Sequence, residues 1–256
     1  MKLGVSYNLF DGEELIESSI KCIRNDVDFI SVIYQTTSNF GNACNESLVP
    51  LLNNLKEKGM IDEMVKYNPS IKNGGHYNEI TKRNLGLYLS ENAGCTHHMA
   101  MDSDEFYTEE QFKYLKKIMI DGDYDSSACQ MVTYYKNSIY RLEPKEEYYV
   151  PLIYKIRDSI EYIFAHQFPV LVDPTRRMNP EKCKIFTRDE IEMHHMSYIR
   201  KNLRMKLNNS SAKSNFKSID KIVNYYNKWE YPQKALLGGI PDKYYEIVKV
   251  EKLFNI

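Results

Sequence analysis

The sequence predicts an α/β fold: a mostly parallel sheet flanked by helices. Three observations carry that expectation. From Lys2 to Asp102 short apolar runs alternate with helical patterns, the order that produces parallel strands joined by crossover helices. The run Met99-Ala100-Met101 leads straight into the acids Asp102, Asp104 and Glu105, as a buried strand does when it ends at a ligand-facing turn. Thr108 and Gln111 then stand at capping-box spacing and open the next helix.

Taken in order, Lys2 to Tyr7 reads as the first strand and Asn8 to Gly12 as a turn. Asp11 and Glu14 are spaced to cap a helix on which Leu15, Ile16, Ile20 and Ile23 recur at helical intervals. Asn25-Asp26-Val27-Asp28 breaks that helix, and Phe29 to Tyr34, rich in β-branched residues, is a second strand. A polar loop runs from Gln35 to Asn45. A helix is expected over Leu48 to Leu55, and a third strand over Met64 to Tyr67. Asn73-Gly74-Gly75 marks a turn, followed by a helix across Tyr77 to Asn92 carrying Ile80, Leu85, Leu87 and Leu89. Beyond the acids, Phe112, Leu115, Ile118 and Met119 share one helix face. Ala128 to Tyr135 is a strand, with a hairpin return at Ile139 to Arg141. From Glu143 to Arg188 the periodicity is weak, which predicts loops and short strands; Ser197 to Ile256 is expected to be mostly helical.

Composition excludes several classes. A net charge of -1 over 256 residues offers no bulk attraction to nucleic acid or an anionic membrane. The late basic run, Arg200 to Lys206, reads as a solvated helix face or a local phosphate contact. Cys22, Cys44, Cys95, Cys129 and Cys183 are odd in number and widely spaced, which argues against a disulfide framework or a structural zinc site and for a reducing cytoplasm. Met1 to Tyr7 lacks the apolar core of a signal peptide, so a cytoplasmic protein is expected, reaching any membrane-bound substrate at the inner face of the membrane. The 21 tyrosines suit core packing and also sugar-binding faces.

Two carboxylates at i and i+2, Asp102 and Asp104, can hold a divalent cation that in turn grips a phosphate. The alternative is that they cap a helix or solvate a loop. An EF-hand loop does not fit, because Lys113 stands where the bidentate Glu belongs. His97 and His98 lie at the far end of the strand and read as structural or surface. Arg176 or Arg177 can clamp a phosphate or pair with surface acids.

Four features combine: Ser6-Tyr7-Asn8, Lys82-Arg83-Asn84, Asp102-Ser103-Asp104, and the segment from Glu192 through His194 and His195 to Arg200. This set resembles the GT-A glycosyltransferases, most closely their family 2-like nucleotide-sugar enzymes. The match runs from Lys2 to about Phe106, with a looser echo around His194. The resemblance implies a single GT-A, Rossmann-like domain over 1–256. Within it, 1–106 is the nucleotide-sugar-binding half, 107–196 the acceptor half and 197–256 a helical C-terminal extension. It implies a Mn or Mg ion held directly by Asp104, with Asp102 on the ribose or reaching the metal through water. His195, rather than His194, is expected as a further metal ligand. Tyr7 and Asn8 would line the base pocket, and Lys82 or Arg83 would contact nucleotide or donor sugar; simple packing and an exposed helix face are the competing readings. An inverting enzyme needs a carboxylate base, for which Asp173, Asp189, Glu190 and Glu192 are candidates.

The implied activity is metal-dependent transfer of a sugar from a nucleotide diphosphate donor to a saccharide or lipid-linked acceptor, in surface polysaccharide or glycan assembly. A sugar nucleotidyltransferase is the enzymatic alternative, though no N-terminal Gly-rich loop is present to cradle a triphosphate. A non-catalytic glycan-binding protein is the alternative from another class. The aromatic residues of the C-terminal helices are enough to permit a homodimer.

Overall fold

The computed structural model describes every residue except Gly239. The chain opens with strand β1 (Leu3–Leu9), helix α1 (Glu13–Ile23) and strand β2 (Phe29–Tyr34). Helix α2 (Leu48–Glu57), β3 (Glu63–Lys66) and α3 (Gly74–Asn92) follow. Strand β4 (His97–Asp102) leads into the two-residue β5 (Glu105–Phe106) and α4 (Glu109–Asp121). Next come β6 (Ser126–Tyr135), β7 (Asn137–Glu143), β8 (Tyr149–Lys155), β9 (Cys183–Ile185) and β10 (Glu192–Tyr198). The chain closes with α5 (Leu203–Asn209), α6 (Ile219–Lys228), β11 (Ala235–Leu236) and β12 (Tyr244–Lys249).

The expectation of a mostly parallel sheet is corrected. Parallel pairing holds in the block β4-β1-β2-β3. Beyond it the order continues through β8, β6, β7, β12 and β11, each antiparallel to its neighbour. Only β9 and β10 return parallel, both on β6. The physical reason is connection length. Crossover helices in the first half force parallel strands, whereas β6 and β7 are separated by Lys136 alone, in the left-handed region at φ 64, and so tight a link admits only an antiparallel return. The helical C-terminal region is present as α5 and α6, and it also contributes β11 and β12, which the sequence reading did not expect.

The main core lies between the parallel block and helices α1, α2 and α4, around Val5, Ile20, Val32, Leu52, Met101 and Leu115. Each such side chain contributes roughly 1.5–3 kcal/mol by leaving water. A second cluster seats α5 and α6 against the antiparallel half through Tyr135, Leu142, Leu203, Leu207 and Trp229. Among the described residues no helix is long and apolar enough to cross a membrane.

Two local details differ from the sequence reading. Helix α1 begins after Gly12, which is left-handed at φ 87 and makes no side-chain cap, so Asp11 is not the cap residue. The cap on α4 is the expected Thr108–Gln111 box. On α3 the expected apolar residues Ile80, Leu85 and Leu89 are only half-buried, and the buried face is polar: Asn78, Lys82, Arg83, Gly86 and Ser90, with Leu87. A helix that buries charge against a sheet has a ligand or counter-charges to satisfy it.

Candidate active site

The parallel block delivers its strand ends to one side of the sheet. In register, Asn8 at the end of β1 lies opposite Asp102 at the end of β4, and Gln35 directly follows β2. Helix α3 lies close over these ends because Gly86 leaves room for Ser6; a Cβ there would stand 2.2 Å from the Ser6 hydroxyl. One turn earlier, Glu79, Lys82 and Arg83 share the face that looks onto the strand ends. Together with Asp173 and residues of the α5 region they line a polar pocket of about 150 Å³.

Inside the pocket the charges are paired. Lys82 Nζ, itself buried, donates to Gln35 Oε1 at 2.6 Å and to Glu79 Oε1 at 2.9 Å. Asn8 Nδ2 donates to Glu79 Oε2 at 3.4 Å, and Asn39 Nδ2 to Glu79 Oε1 at 3.2 Å. Arg83 reaches Asp102 Oδ1 at 3.5 Å, while its Nε and Nη1 are buried without partners among the described residues. Asp102 Oδ2 accepts from Arg176 Nη2 at 2.6 Å. Burial raises the Asp102 carboxyl, but Arg176 and Arg83 outweigh it and bring the group down to about 2.

Asp104 is 2 % exposed and belongs to a second set. Its Oδ2 accepts from Lys206 Nζ at 2.9 Å and from Arg200 Nη2, and its Oδ1 faces His195 Nε2 at 3.8 Å. Burial acts to raise this carboxyl; Lys206 and Arg200 hold it well below the usual carboxylate range. The short ladder between β5 and β10 pairs Glu105 with His195, and Met196 N donates to Asp104 O at 2.7 Å, which brings His195 to the acid.

Several expected residues are placed elsewhere. Tyr7 is fully buried and bonds Ser19 Oγ at 3.1 Å, so it does not line the pocket; neighbours on a strand alternate faces, and Asn8 takes the pocket side. His194 alternates away from His195 in the same manner. Its Nδ1 is 2.9 Å from Tyr134 OH, its ring packs on Phe254, and burial lowers it to about 4. Glu190 is occupied by Lys184 and Thr187, and Glu192 by Lys145 and Arg188. Neither these two nor Asp189 lines the pocket; of the four acids proposed as base, only Asp173 does. Its Oδ1 accepts from Thr175 N at 2.8 Å and Thr175 Oγ1 at 2.9 Å. Arg176 lies beneath the pocket, tied to Asp102 and Glu105, and is not on its surface. His98 is structural, buried between Ser90 Oγ at 2.9 Å and Ser6 Oγ at 3.5 Å.

The sequence reading missed Gln35 and Glu79. Gln35 directly follows β2, at the same end of the sheet as Asn8 in β1, a signal available from the strand pattern. Glu79 and Lys82 carried the i, i+3 spacing of a charge pair.

No family model matches the chain, and no curated protein matches it. Among solved structures, TarS 1-349 of S. aureus matches at a TM-score of 0.50 and 10% identity, over 84% of this chain and 68% of that one. The fold is shared with TarS. In complex with UDP, TarS 1-349 matches at 0.51 and 10% identity, over 90% of this chain and 73% of that one. In complex with UDP-GlcNAc it matches at 0.51 and 10% identity, over 84% and 70%. A longer TarS chain is covered over only 44% of its length, at 0.47, with 10% identity and 90% of this chain aligned.

Whether the residues suit a metal ion can be tested on their donors. Among the described residues no three His, Cys, Asp or Glu side chains converge to form an all-protein cage. Asp104, which lines the pocket, has His195 Nε2 at 3.8 Å from its Oδ1, while Arg200 and Lys206 occupy its Oδ2. Mg-type ions are commonly held by one or two protein groups with substrate phosphates and water completing the shell. The pair therefore fits a cation shared with a phosphate ligand, and does not fit a cation held by protein alone.

Proposed function

We propose that the protein is a GT-A-type glycosyltransferase that moves a sugar from a nucleoside diphosphate donor, of UDP type, to a saccharide or lipid-linked acceptor in glycan assembly. The observation that carries this reading is the convergence of Asn8, Gln35, Lys82, Asp102 and Asp104 at the carboxyl ends of β1, β2 and β4 in one polar pocket, where open α/β sheets bind ligands. The fold shared with TarS, whose 1-349 region is seen in complex with UDP and UDP-GlcNAc, supports the choice of donor.

In this reading Asn8, Gln35 and Glu79 take the base and ribose end, and Asp102, set by Arg176, accepts from a ribose hydroxyl. Asp104 and His195 are the residues that would hold a Mn or Mg ion. The chemistry such an ion would supply is neutralisation of charge on the departing diphosphate. Asp173, the one candidate acid at the pocket, takes the proton of the acceptor hydroxyl as it attacks the sugar and the nucleoside diphosphate leaves, the role a base has in the single displacement of an inverting transferase.

The test is thermal stability against a panel of nucleoside diphosphates, each with and without Mn, since a ligand that binds only the native state raises the melting temperature. We expect UDP with Mn to stabilise the protein. His195→Ala should weaken that shift and His194→Ala should not. Asp173→Asn should retain the shift and lose transfer. Absence of any nucleotide shift would overturn the assignment.

A further inference from the structure

Four chain segments meet at the mouth of the pocket: 35–45, 67–78, 162–172 and 206–217. Contacts between them close a rim. Ile71 Cδ1 lies 3.4 Å from where a Cβ on Gly41 would stand, and Asn42 Nδ2 donates to Asn209 Oδ1 at 2.9 Å. Lys213 Nζ stands over the Phe40 ring, 5.4 Å from its centroid, and the rings of His76 and Phe164 are 5.4 Å apart. The first and last segments also line the pocket, through Ser38, Asn39, Asn209 and Ser210, and Asp173 directly follows the third. Two features set this rim apart from the rest of the surface. The chain has 10 phenylalanines, and the two most exposed are here, Phe40 at 42 % and Phe164 at 48 %, joined by Ile71 at 58 %. The four segments also carry Lys72, Lys206, Lys213 and Lys217 and no Asp or Glu, in a chain of 34 basic and 35 acidic residues. Lys206 is turned inward onto Asp104, whereas the other three are exposed and join no ion pair among the described residues.

Exposed apolar side chains set among unpaired cations suit a surface that offers hydrocarbon and negative charge together. A saccharide would stack on the two rings but give the lysines no partner and Ile71 no flat face. We infer that this rim docks the protein on an anionic phospholipid surface. Phe40, Ile71 and Phe164 enter the headgroup layer, Lys72, Lys213 and Lys217 meet lipid phosphates, and the pocket opens toward the membrane. The overall charge of -1 excludes bulk attraction only; a local cluster acts within a Debye length, about 10 Å at moderate ionic strength. The docking stands independently of the transferase reading. Its consequence, an acceptor presented as a lipid-linked glycan from that surface, deepens that reading and rests on it.

The experiment floats the whole chain with vesicles of equal parts phosphatidylglycerol and phosphatidylcholine, without nucleotide or metal. Wild type should bind, and should lose at least about tenfold in affinity on vesicles of phosphatidylcholine alone or at high salt. A lysine near an anionic surface strengthens binding by about fivefold, so Lys72→Gln, Lys213→Gln and Lys217→Gln together should weaken it by about a hundredfold. Ile71→Ser with Phe164→Ser should weaken it by at least about tenfold, with an unchanged melting temperature because both positions are exposed. The charge-matched control, Lys56→Gln, Lys117→Gln and Lys228→Gln, is exposed on α2, α4 and α6 and should bind as wild type does. Absence of wild-type binding to the anionic vesicles overturns the inference, as does an equal loss in the control triple. Self-association that Ile71→Ser with Phe164→Ser removes, in a wild type that ignores the vesicles, assigns the rim to a second copy of the chain and also overturns it. A nucleotide panel that fails while vesicle binding holds refutes the transferase reading and leaves the docking surface standing.

Discussion

Replacing Arg176 by methionine tests the support beneath the pocket. Arg176 is 5 % exposed and Glu105 3 % exposed. The guanidinium donates to Glu105 Oε2 at 3.1 Å and Asp102 Oδ2 at 2.6 Å, with a longer contact to Ala100 O at 3.5 Å. Burial pushes the Glu105 carboxyl up to about 7 even with Arg176 beside it. Without the guanidinium Glu105 is left as an uncompensated charge or takes up a proton. Breaking one side of a buried ion pair costs about 3–5 kcal/mol. At about 2–4 °C per kcal/mol for a chain of this size, the melting temperature should fall by about 6–20 °C. Urea denaturation followed by circular dichroism at pH 7.5 gives the free energy, and thermal melts give the shift. Adding Glu105→Gln should restore at least half of the loss, because no unpaired charge then remains buried. A loss below about 1 kcal/mol, or a double variant no better than Arg176→Met alone, would refute the reasoning.

Other outcomes follow from the same geometry. Gly12→Ala places a non-glycine residue at φ 87 and a Cβ 2.4 Å from Ser103 Oγ; strain of about 1–2 kcal/mol should appear in urea denaturation together with weakened Mn-dependent UDP binding, and an unchanged variant would remove the glycine seat from the account. Acidification should destabilise the fold. Burial lowers His98 to about 3 and His194 to about 4, below the ordinary imidazole value of about 6.5, so the unfolded chain binds more protons and stability falls as pH drops through that window. At pH 5 this amounts to about 2 kcal/mol for each imidazole. Glu105, raised to about 7, works in the opposite sense and returns about 2 kcal/mol between pH 7.5 and 5. These three groups together give a loss of about 2 kcal/mol. His97, which burial also lowers to about 4, adds to it in the same sense. Glu105→Gln should steepen the loss; an equal or shallower slope in that variant would refute the assignment.

The sequence by itself determined the local grammar of the first half and the acids at its centre. Strand and helix periods there depend on neighbours a few residues apart, so β1, α1, β2 and the Thr108 cap were legible, as was the placement of Asp102 and Asp104 at a strand end. That only one of His194 and His195 can face the acids rested on alternation, which is also local; nothing in the sequence decided which, and the structure sets His195 Nε2 3.8 Å from Asp104 Oδ1 and turns His194 to Tyr134. What only the tertiary structure decided depends on distant pairing. Tyr7 lost its expected place because the core covers its face of β1. Asp173 lies at the pocket and Asp189 and Glu190 do not, a separation set by the path of the segment after Glu143, where β8 is buried too evenly to show a period. The antiparallel half follows from pairings of β12 with β7 and of β4 with β8, for which no short-range pattern exists. Arg200 and Lys206 read from sequence as a solvated helix face or a local phosphate contact. Lys206 meets Asp104 because apolar contacts of α5 turn its face inward, Arg200 meets it from the link between β10 and α5, and the charge on a side chain does not reveal which carboxylate will lie across from it.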